Sequence, residues 1–274
     1  MGPKAAEDED REAVGDPRGL SLRAMLPNAI TAAALCSGLT GIRFAIDGVW
    51  AYAVFAIVLA AVLDGIDGRI ARLLNAQSRF GAELDSLADS LSFGMAPAII
   101  LYLWSLQQLD PFGWFAALSF GTCCALRLAR FNAQIDVDDQ PHKSAGFLTG
   151  VPAPVAAGMA FAPFYLWMAT GNEAFRDPIL ATVWVAAMAI LMISNMATLS
   201  WGAMRPRRDV RLPLIALAAL VFAALLVTPW WTLAAISVSY LVLMPYALFK
   251  YGRIKRRRRL AREQADAVLA EDDG

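Results

Sequence analysis

Charge is scarce in this chain of 274 residues: Asp, Glu, Lys and Arg make up 18% of it, whereas 58% is hydrophobic. Soluble domains carry roughly 25% charged residues, so the deficit argues against an ordinary soluble domain. Most of the charge that remains lies in the two tails and a few short loops. Cysteine is sparse too. Cys36, Cys123 and Cys124 fall in apolar runs, adjacent cysteines rarely pair, and no CxxC spacing exists. They read as small packing residues, and no disulfide framework is expected. His142, the single histidine, stands in a polar loop and reads as solvent-exposed rather than catalytic. No positively charged start leads directly into a cleavable apolar core, so no signal peptide is expected. The opening Met1-Gly2-Pro3-Lys4-Ala5-Ala6 also lacks the Ser or Thr that myristoylation wants at the sixth position.

What the chain does have is long apolar runs, each about 20 residues, the length a helix needs to cross a bilayer. Eight are expected, at roughly 26–46, 50–69, 86–106, 113–131, 150–169, 178–199, 211–229 and 231–250. The fold class is therefore an all-α, polytopic membrane bundle of about eight transmembrane helices. Orientation follows from the basic residues, which stay on the cytoplasmic side of short loops. With eight spans, all of the 24 Lys and Arg except Arg43 and Arg176 fall on one side. That side is expected to be cytoplasmic and to carry both termini. Trp50, Trp104, Trp114, Trp167, Trp230 and Trp231 then mark the outer interface as an aromatic belt. Residues 1–20 read as a disordered polar tail, and 251–274 as a basic-then-acidic cytoplasmic tail. The run Lys255-Arg256-Arg257-Arg258-Arg259 reads as a topology anchor leading into a solvated helix, with recruitment of anionic lipid as the alternative.

Four aspartates sit where this topology makes them expensive. The apolar stretch Trp50 to Leu63 has only 14 residues, too few to span about 30 Å, so its helix must continue through Asp64 and Asp67. The next span runs the opposite way and begins around Asp85 and Asp89. All four carboxylates thus share one depth, at the cytoplasmic ends of adjacent antiparallel helices. A carboxylate near hydrocarbon costs roughly 2.5–3.5 kcal/mol on insertion scales, and four together repel one another. Spacings of i,i+3 and i,i+4 put each pair on one face. Gly68, Ala71 and Gly81 lie on or beside those faces, where small side chains admit another helix or a ligand. Oxygen-only ligation suits Mg²⁺ or Mn²⁺, and four carboxylates can hold two such ions for a phosphoryl displacement. The alternative is ordinary pairing with Arg69, Arg72, Arg79, Arg127 or Arg130. It would leave two helices bearing the same desolvation cost without a function.

Residues 64–89 read DGIDGRIARLLNAQSRFGAELDSLAD. This string resembles the signature of CDP-alcohol phosphatidyltransferases at each of its eight fixed positions: Asp64, Asp67, Gly68, Ala71, Arg72, Gly81, Asp85 and Asp89. The segments DSLADSLSFGMAPA (85–98), ALRLARFN (125–132) and GFLTGVPAP (146–154) are similar to the polytopic phosphatidylserine synthase branch of that family. The resemblance covers roughly residues 20–200, which makes 21–202 the expected catalytic membrane domain. Residues 203–250 are expected to add two C-terminal helices without a motif.

The resemblance implies transfer of a phosphatidyl group from CDP-diacylglycerol to the hydroxyl of L-serine, with release of CMP, at a membrane site facing the cytoplasm. By that precedent Asp64, Asp67 and Asp85 ligate metal, while Asp89 completes the second metal site and serves as general base. Gly68, Ala71, Arg72 and Gly81 would border the nucleotide, and Asn28 and Thr31 would donate to it. Arg127, Arg130 and Asn132 would hold serine's carboxylate or the lipid phosphate, as arginine's planar fork suits. The family also implies a homodimer, and no nucleic-acid partner is expected. Two rivals remain at this stage. One keeps the chemistry with glycerol 3-phosphate or an inositol phosphate as acceptor, which should require more basic residues than Arg127, Arg130 and Lys143. The other is a cation-coupled transporter, which predicts midplane carboxylates, broken helices and inverted repeats.

Overall fold

The computed structural model of the chain describes residues 22–133, 147–194, 197–199 and 211–244. His142, Lys143, Arg205, Arg207, Arg208, the first 20 residues and the tail from Lys250 lie outside the described residues. The fold is built from helices, as a chain in hydrocarbon requires: an unpaired backbone N–H or C=O in lipid costs several kcal/mol, and a helix pairs them within itself. In chain order the helices are α1 (Leu22–Ile46), α2 (Trp50–Leu73), α3 (Arg79–Asp89), α4 (Ala96–Trp104), α5 (Phe112–Ala133), α6 (Ala153–Ala160), α7 (Ala162–Thr170), α8 (Pro178–Ile193) and α9 (Arg211–Val227). A tenth, α10, covers Pro229–Met244.

Five stretches are long and apolar enough to cross a membrane: Met25–Ile46, Trp50–Leu73, Arg79–Trp104, Phe112–Ala133 and Ala153–Thr170. Three shorter apolar helices, Pro178–Ile193, Leu212–Val227 and Pro229–Met244, coincide with the remaining expected runs. The chain is membrane-embedded. Its lipid-facing sides carry side chains such as Leu212, Phe222 and Val227, which only hydrocarbon would cover.

α1 and α2 form an antiparallel hairpin. The chain reverses at Gly48, whose φ of 73° only glycine adopts readily. Ser37 Oγ ties the hairpin by donating to the Ala56 carbonyl at 2.8 Å. α3 starts at Arg79, seven residues before the expected start of the third span at 86. The reason is a cap: extended Ser78 accepts the Gly81 N–H on its Oγ at 3.0 Å and so begins the helix early.

Between α3 and α4 the helix widens into one π turn, Ser90–Met95. Pro97 lies just beyond it, where a proline brings no N–H and its ring crowds the carbonyl four residues back; a wider turn relieves both problems. Neighbouring helices close on that turn. A Cβ on Gly38 of α1 would stand 2.6 Å from Ser92 Oγ, so only glycine allows this approach.

The fifth span is kinked into α6 and α7 at Phe161, because Pro163 has no N–H for the Met159 carbonyl. That oxygen takes the Phe161 N–H at the helix end and a second donor from α8, where Trp184 Nε1 donates to it at 2.9 Å. α8 opens with Pro178 and a cap from Asp177, whose Oδ1 accepts the N–H groups of Ile179 and Leu180 at 3.0 and 2.9 Å. It ends at Ile193, short of the expected 199. The chain beyond is extended: β2 (Ala197–Leu199) pairs antiparallel with β1 (Phe147–Thr149), in the register Phe147↔Leu199 and Thr149↔Ala197. This ladder is the one departure from an all-α fold among the described residues.

The core centres on α4, α5, α6 and α7, with Trp104, Phe120, Phe161, Phe164 and Tyr165 fully enclosed. Trp104 meets Phe164 edge-on at 5.3 Å. The two arginines on the sparsely basic side are both engaged. Arg43 pairs with Asp47 at 2.9 Å. Arg176 donates from Nε and Nη2 to the Trp104 carbonyl at 3.1 and 3.0 Å, its guanidinium over the Trp167 ring.

Candidate active site

The four aspartates come together because α2 and α3 both pack against α1. The last three turns of α2 carry Asp64 and Asp67, and the last two turns of α3 carry Asp85 and Asp89. Asp64, Asp67 and Asp85 each offer an oxygen, and these atoms lie within 4.8 Å of one another. Asp89 stands outside that trio. Its carboxyl is in hydrogen-bond contact with Asp64, and the positive charge of Arg127 on α5 acts on it as well. Two carboxyl oxygens in such contact need a proton or a cation between them. The π turn begins immediately after Asp89, so this residue lies where the helix changes register.

Asp67 is the most enclosed of the four, with only 3% of its surface exposed. Burial of a carboxylate requires a donor, and Thr31 of α1 supplies one: its Oγ1 lies 2.5 Å from Asp67 Oδ2. The same hydroxyl lies 3.1 Å from the Pro27 carbonyl, but it has one proton, which serves the shorter and charged contact. Thr31, expected as a donor to a nucleotide, is thus engaged with a carboxylate.

Among the described residues no arginine neutralises the cluster by direct pairing. Among the described residues, Arg69, Arg72, Arg79, Arg127 and Arg130 make no ion pair with these aspartates. Three carboxylates that converge, offer only oxygen and lack an ion-paired partner are a donor set fitted to a hard divalent cation. Asp64, Asp67 and Asp85 can hold it, with Asp89 adjoining.

The remaining expected residues divide. Gly68 faces open space: a Cβ there would meet only Arg72 Nη2, at 4.0 Å. No described helix covers it, so the space beside it is open. Ala71 is half-buried on the same helix, whereas Arg72 and Arg130 are exposed. Gly81 approaches Asn28 so closely that a Cβ would lie 2.9 Å from Asn28 Oδ1. Asn28 Nδ2 is buried and has no hydrogen-bond acceptor among the described residues. Asn132, expected at an acceptor or phosphate site, instead donates through Nδ2 to Ser86 Oγ at 2.9 Å, which ties α5 to α3 beside Asp85. Ser86 escaped sequence reasoning. Its only signal was its place between two of the aspartates.

Comparison with known proteins agrees with this geometry. The sequence model described as CDP-alcohol phosphatidyltransferase matches residues 24–201. A second, described as CDP-alcohol phosphatidyltransferase 2, matches 209–245, so the C-terminal helices, expected to carry no motif, also bear a family pattern. The chain is 37% identical over 238 residues to a CDP-diacylglycerol--serine O-phosphatidyltransferase of Mycobacterium tuberculosis, covering 86% of this chain and 82% of that one. It is also 37% identical over 230 residues to the Mycobacterium leprae protein of the same name, covering 82% and 74%. A Helicobacter pylori protein, again of that name, is 38% identical over 133 residues, covering 48% and 54%. The chain belongs to the CDP-alcohol phosphatidyltransferase family.

Proposed function

We propose that this chain transfers the phosphatidyl group of CDP-diacylglycerol to the hydroxyl of L-serine, giving phosphatidylserine and CMP. The observation that carries the reaction type is the convergence of four carboxylates from α2 and α3 around an oxygen-only donor set. Serine as acceptor is supported by the names of the relatives, which match over most of the chain.

The chain's own residues divide the work. Asp64, Asp67 and Asp85, adjoined by Asp89, would hold Mg²⁺ or Mn²⁺, two ions in all. Bound there, such ions neutralise the pyrophosphate and stabilise the departing CMP. Thr31 fixes the Asp67 carboxylate, and Ser86 with Asn132 braces the helix that carries Asp85. Gly68 and Ala71 leave room for the cytidine nucleotide against helix backbone, with Arg72 lending positive charge and Asn28 Nδ2 a free donor. Arg127 lies at the same depth and offers a guanidinium to the serine carboxylate or the lipid phosphate. The serine oxygen forms a new bond to the phosphorus nearer diacylglycerol, and the bond from that phosphorus to the bridging oxygen breaks. Asp89 takes the hydroxyl proton, a task for a carboxylate within hydrogen-bond reach of a poor nucleophile.

Eight crossings, with both termini and the carboxylate cluster on the cytoplasmic side, complete the reading. It is supported by the basic residues, of which all but Arg43 and Arg176 fall on that side. There a soluble amino acid and a membrane-bound nucleotide can meet. The test is direct. Purified protein in detergent, given CDP-diacylglycerol and Mn²⁺ or Mg²⁺, should release CMP when serine is added, and chelation should stop it. Release with glycerol 3-phosphate or an inositol phosphate but not with serine would overturn the acceptor. Serine-dependent release that survives chelation would overturn the metal.

A further inference from the structure

The end of the bundle opposite the aspartate cluster carries an open cavity that phosphatidyl transfer does not use. It measures about 670 Å³ and is lined by Tyr102 of α4, Trp114 of α5 and, between them, Asp110 and Pro111. The stretch Arg79–Trp104 starts at the cluster and ends here, so the length of a span separates the two places. The joining turn is pinned on both sides. A Cβ on Gly113 of α5 would collide with the carbonyl of Leu106 in the 3₁₀ turn Leu106–Leu109, and Ser105 Oγ donates to the Arg176 carbonyl at 2.7 Å. The Tyr102 and Trp114 rings stand 5.0 Å apart at 69°, as two walls of a corner. Asp110 closes it: its Oδ1 and Oδ2 lie 3.0 and 2.9 Å from the Tyr102 hydroxyl. A phenol has one proton, so it meets only part of what a carboxylate can accept and leaves the charge in place. Among the described residues Asp110 makes no ion pair, whereas the other described carboxylates at this end are engaged: Asp47 with Arg43, Glu173 with the Trp167 indole N–H, and Asp177 as the cap of α8. Two aromatic rings beside an uncompensated carboxylate suit an alkylammonium ion, because ring faces attract the cation and its methyl or methylene groups while the carboxylate supplies the opposite charge. Phe112 and Phe115, on the same first turn of α5, are exposed, so the cavity adjoins a surface that only hydrocarbon would cover.

We propose that the corner formed by Tyr102, Asp110 and Trp114 binds an alkylammonium group, of the kind carried by an amine-bearing lipid head group or a soluble amine. The probe is tetramethylammonium chloride, which has no hydroxyl and so does not stand in for an acceptor alcohol. Full-length protein in neutral detergent should show a saturable change in tryptophan fluorescence with it that sodium chloride at the same ionic strength does not give. Trp114→Leu should abolish the change, since that ring is both wall and reporter. Asp110→Asn removes the charge but keeps an acceptor for the Tyr102 hydroxyl. It and Tyr102→Leu should each raise the half-saturating concentration by about two- to fivefold, as for one contact of this kind at an exposed site. Native mass spectrometry from mixed micelles then separates the two sources. Preferential retention of phosphatidylethanolamine over phosphatidylglycerol, lost in Asp110→Asn, assigns the site to a lipid head group; tetramethylammonium binding without that preference assigns it to a soluble amine. The proposal is overturned if the parent gives no saturable change, if the change survives Trp114→Leu, or if Asp110→Asn and Tyr102→Leu both titrate as the parent does. The readout is binding at the far end of the bundle, so its failure leaves the proposed transfer reaction untouched.

Discussion

Thr31→Val removes one hydroxyl from the site and almost nothing else. Valine has threonine's shape, so no cavity opens, and the lost group is the donor 2.5 Å from Asp67 Oδ2. Both residues are enclosed, at 5% and 3% exposure, so water does not replace the bond. A hydrogen bond to a charged acceptor contributes about 1.5–3 kcal/mol. At 1.4 kcal/mol per factor of ten, that is roughly a tenfold to hundredfold change in whatever equilibrium the bond supports. Partners that orient metal-binding carboxylates cost about the same when removed, 10- to 100-fold in metal affinity or activity. The two estimates come from different physics and agree. The assay is serine-dependent CMP release titrated with Mn²⁺. Thr31→Val should move the half-saturating concentration upward by about 10- to 100-fold. Thr31→Ser, which keeps the hydroxyl, should titrate as the parent does. A Thr31→Val protein with the parent's Mn²⁺ dependence would refute the claim that Thr31 orients Asp67.

Three further predictions use other parts of the molecule. Gly68→Ala adds a methyl group that meets only Arg72 Nη2 at 4.0 Å, so thermal unfolding should be unchanged or slightly raised, while CMP release should fall sharply because the space is the nucleotide's. Gly81→Ala puts a Cβ 2.9 Å from Asn28 Oδ1, forcing that side chain to turn; the KM for CDP-diacylglycerol should rise with little change in unfolding temperature. Trp184→Phe removes the side-chain donor to the Met159 carbonyl and should cost about 0.5–1.5 kcal/mol in unfolding by denaturant. Pro163→Ala restores a backbone N–H to that carbonyl, so the tryptophan substitution should cost less in the Pro163→Ala background.

The five long apolar spans were legible because lipid enforces length and apolarity on each, and the proximity of Asp64, Asp67 and Asp85 was legible because helical spacing fixes which residues are neighbours. Caps move boundaries without altering hydropathy, which is why Ser78 starts the third span earlier than its apolar run does. The short pairing of Phe147–Thr149 with Ala197–Leu199 joins segments about 50 residues apart, and neither carries a strand's alternation long enough to announce it. Within the site, the sequence ranks Asp64, Asp67, Asp85 and Asp89 as near neighbours but says nothing of Thr31 reaching Asp67 from α1, 36 residues away. Ser86 was invisible for the same reason: it is tied to Asn132 on another helix, and such contacts are set by packing rather than by spacing along the chain.

Asp89→Asn tests the central claim most directly. The amide keeps the size of the side chain and supplies a donor to Asp64, so the cluster's contact survives while its proton acceptor is lost. The expected result is a folded protein whose serine-dependent CMP release falls by about 10²- to 10⁴-fold, the usual contribution of a general base. Release by Asp89→Asn within a few-fold of the parent would contradict the assignment of Asp89 as the group that takes the serine proton.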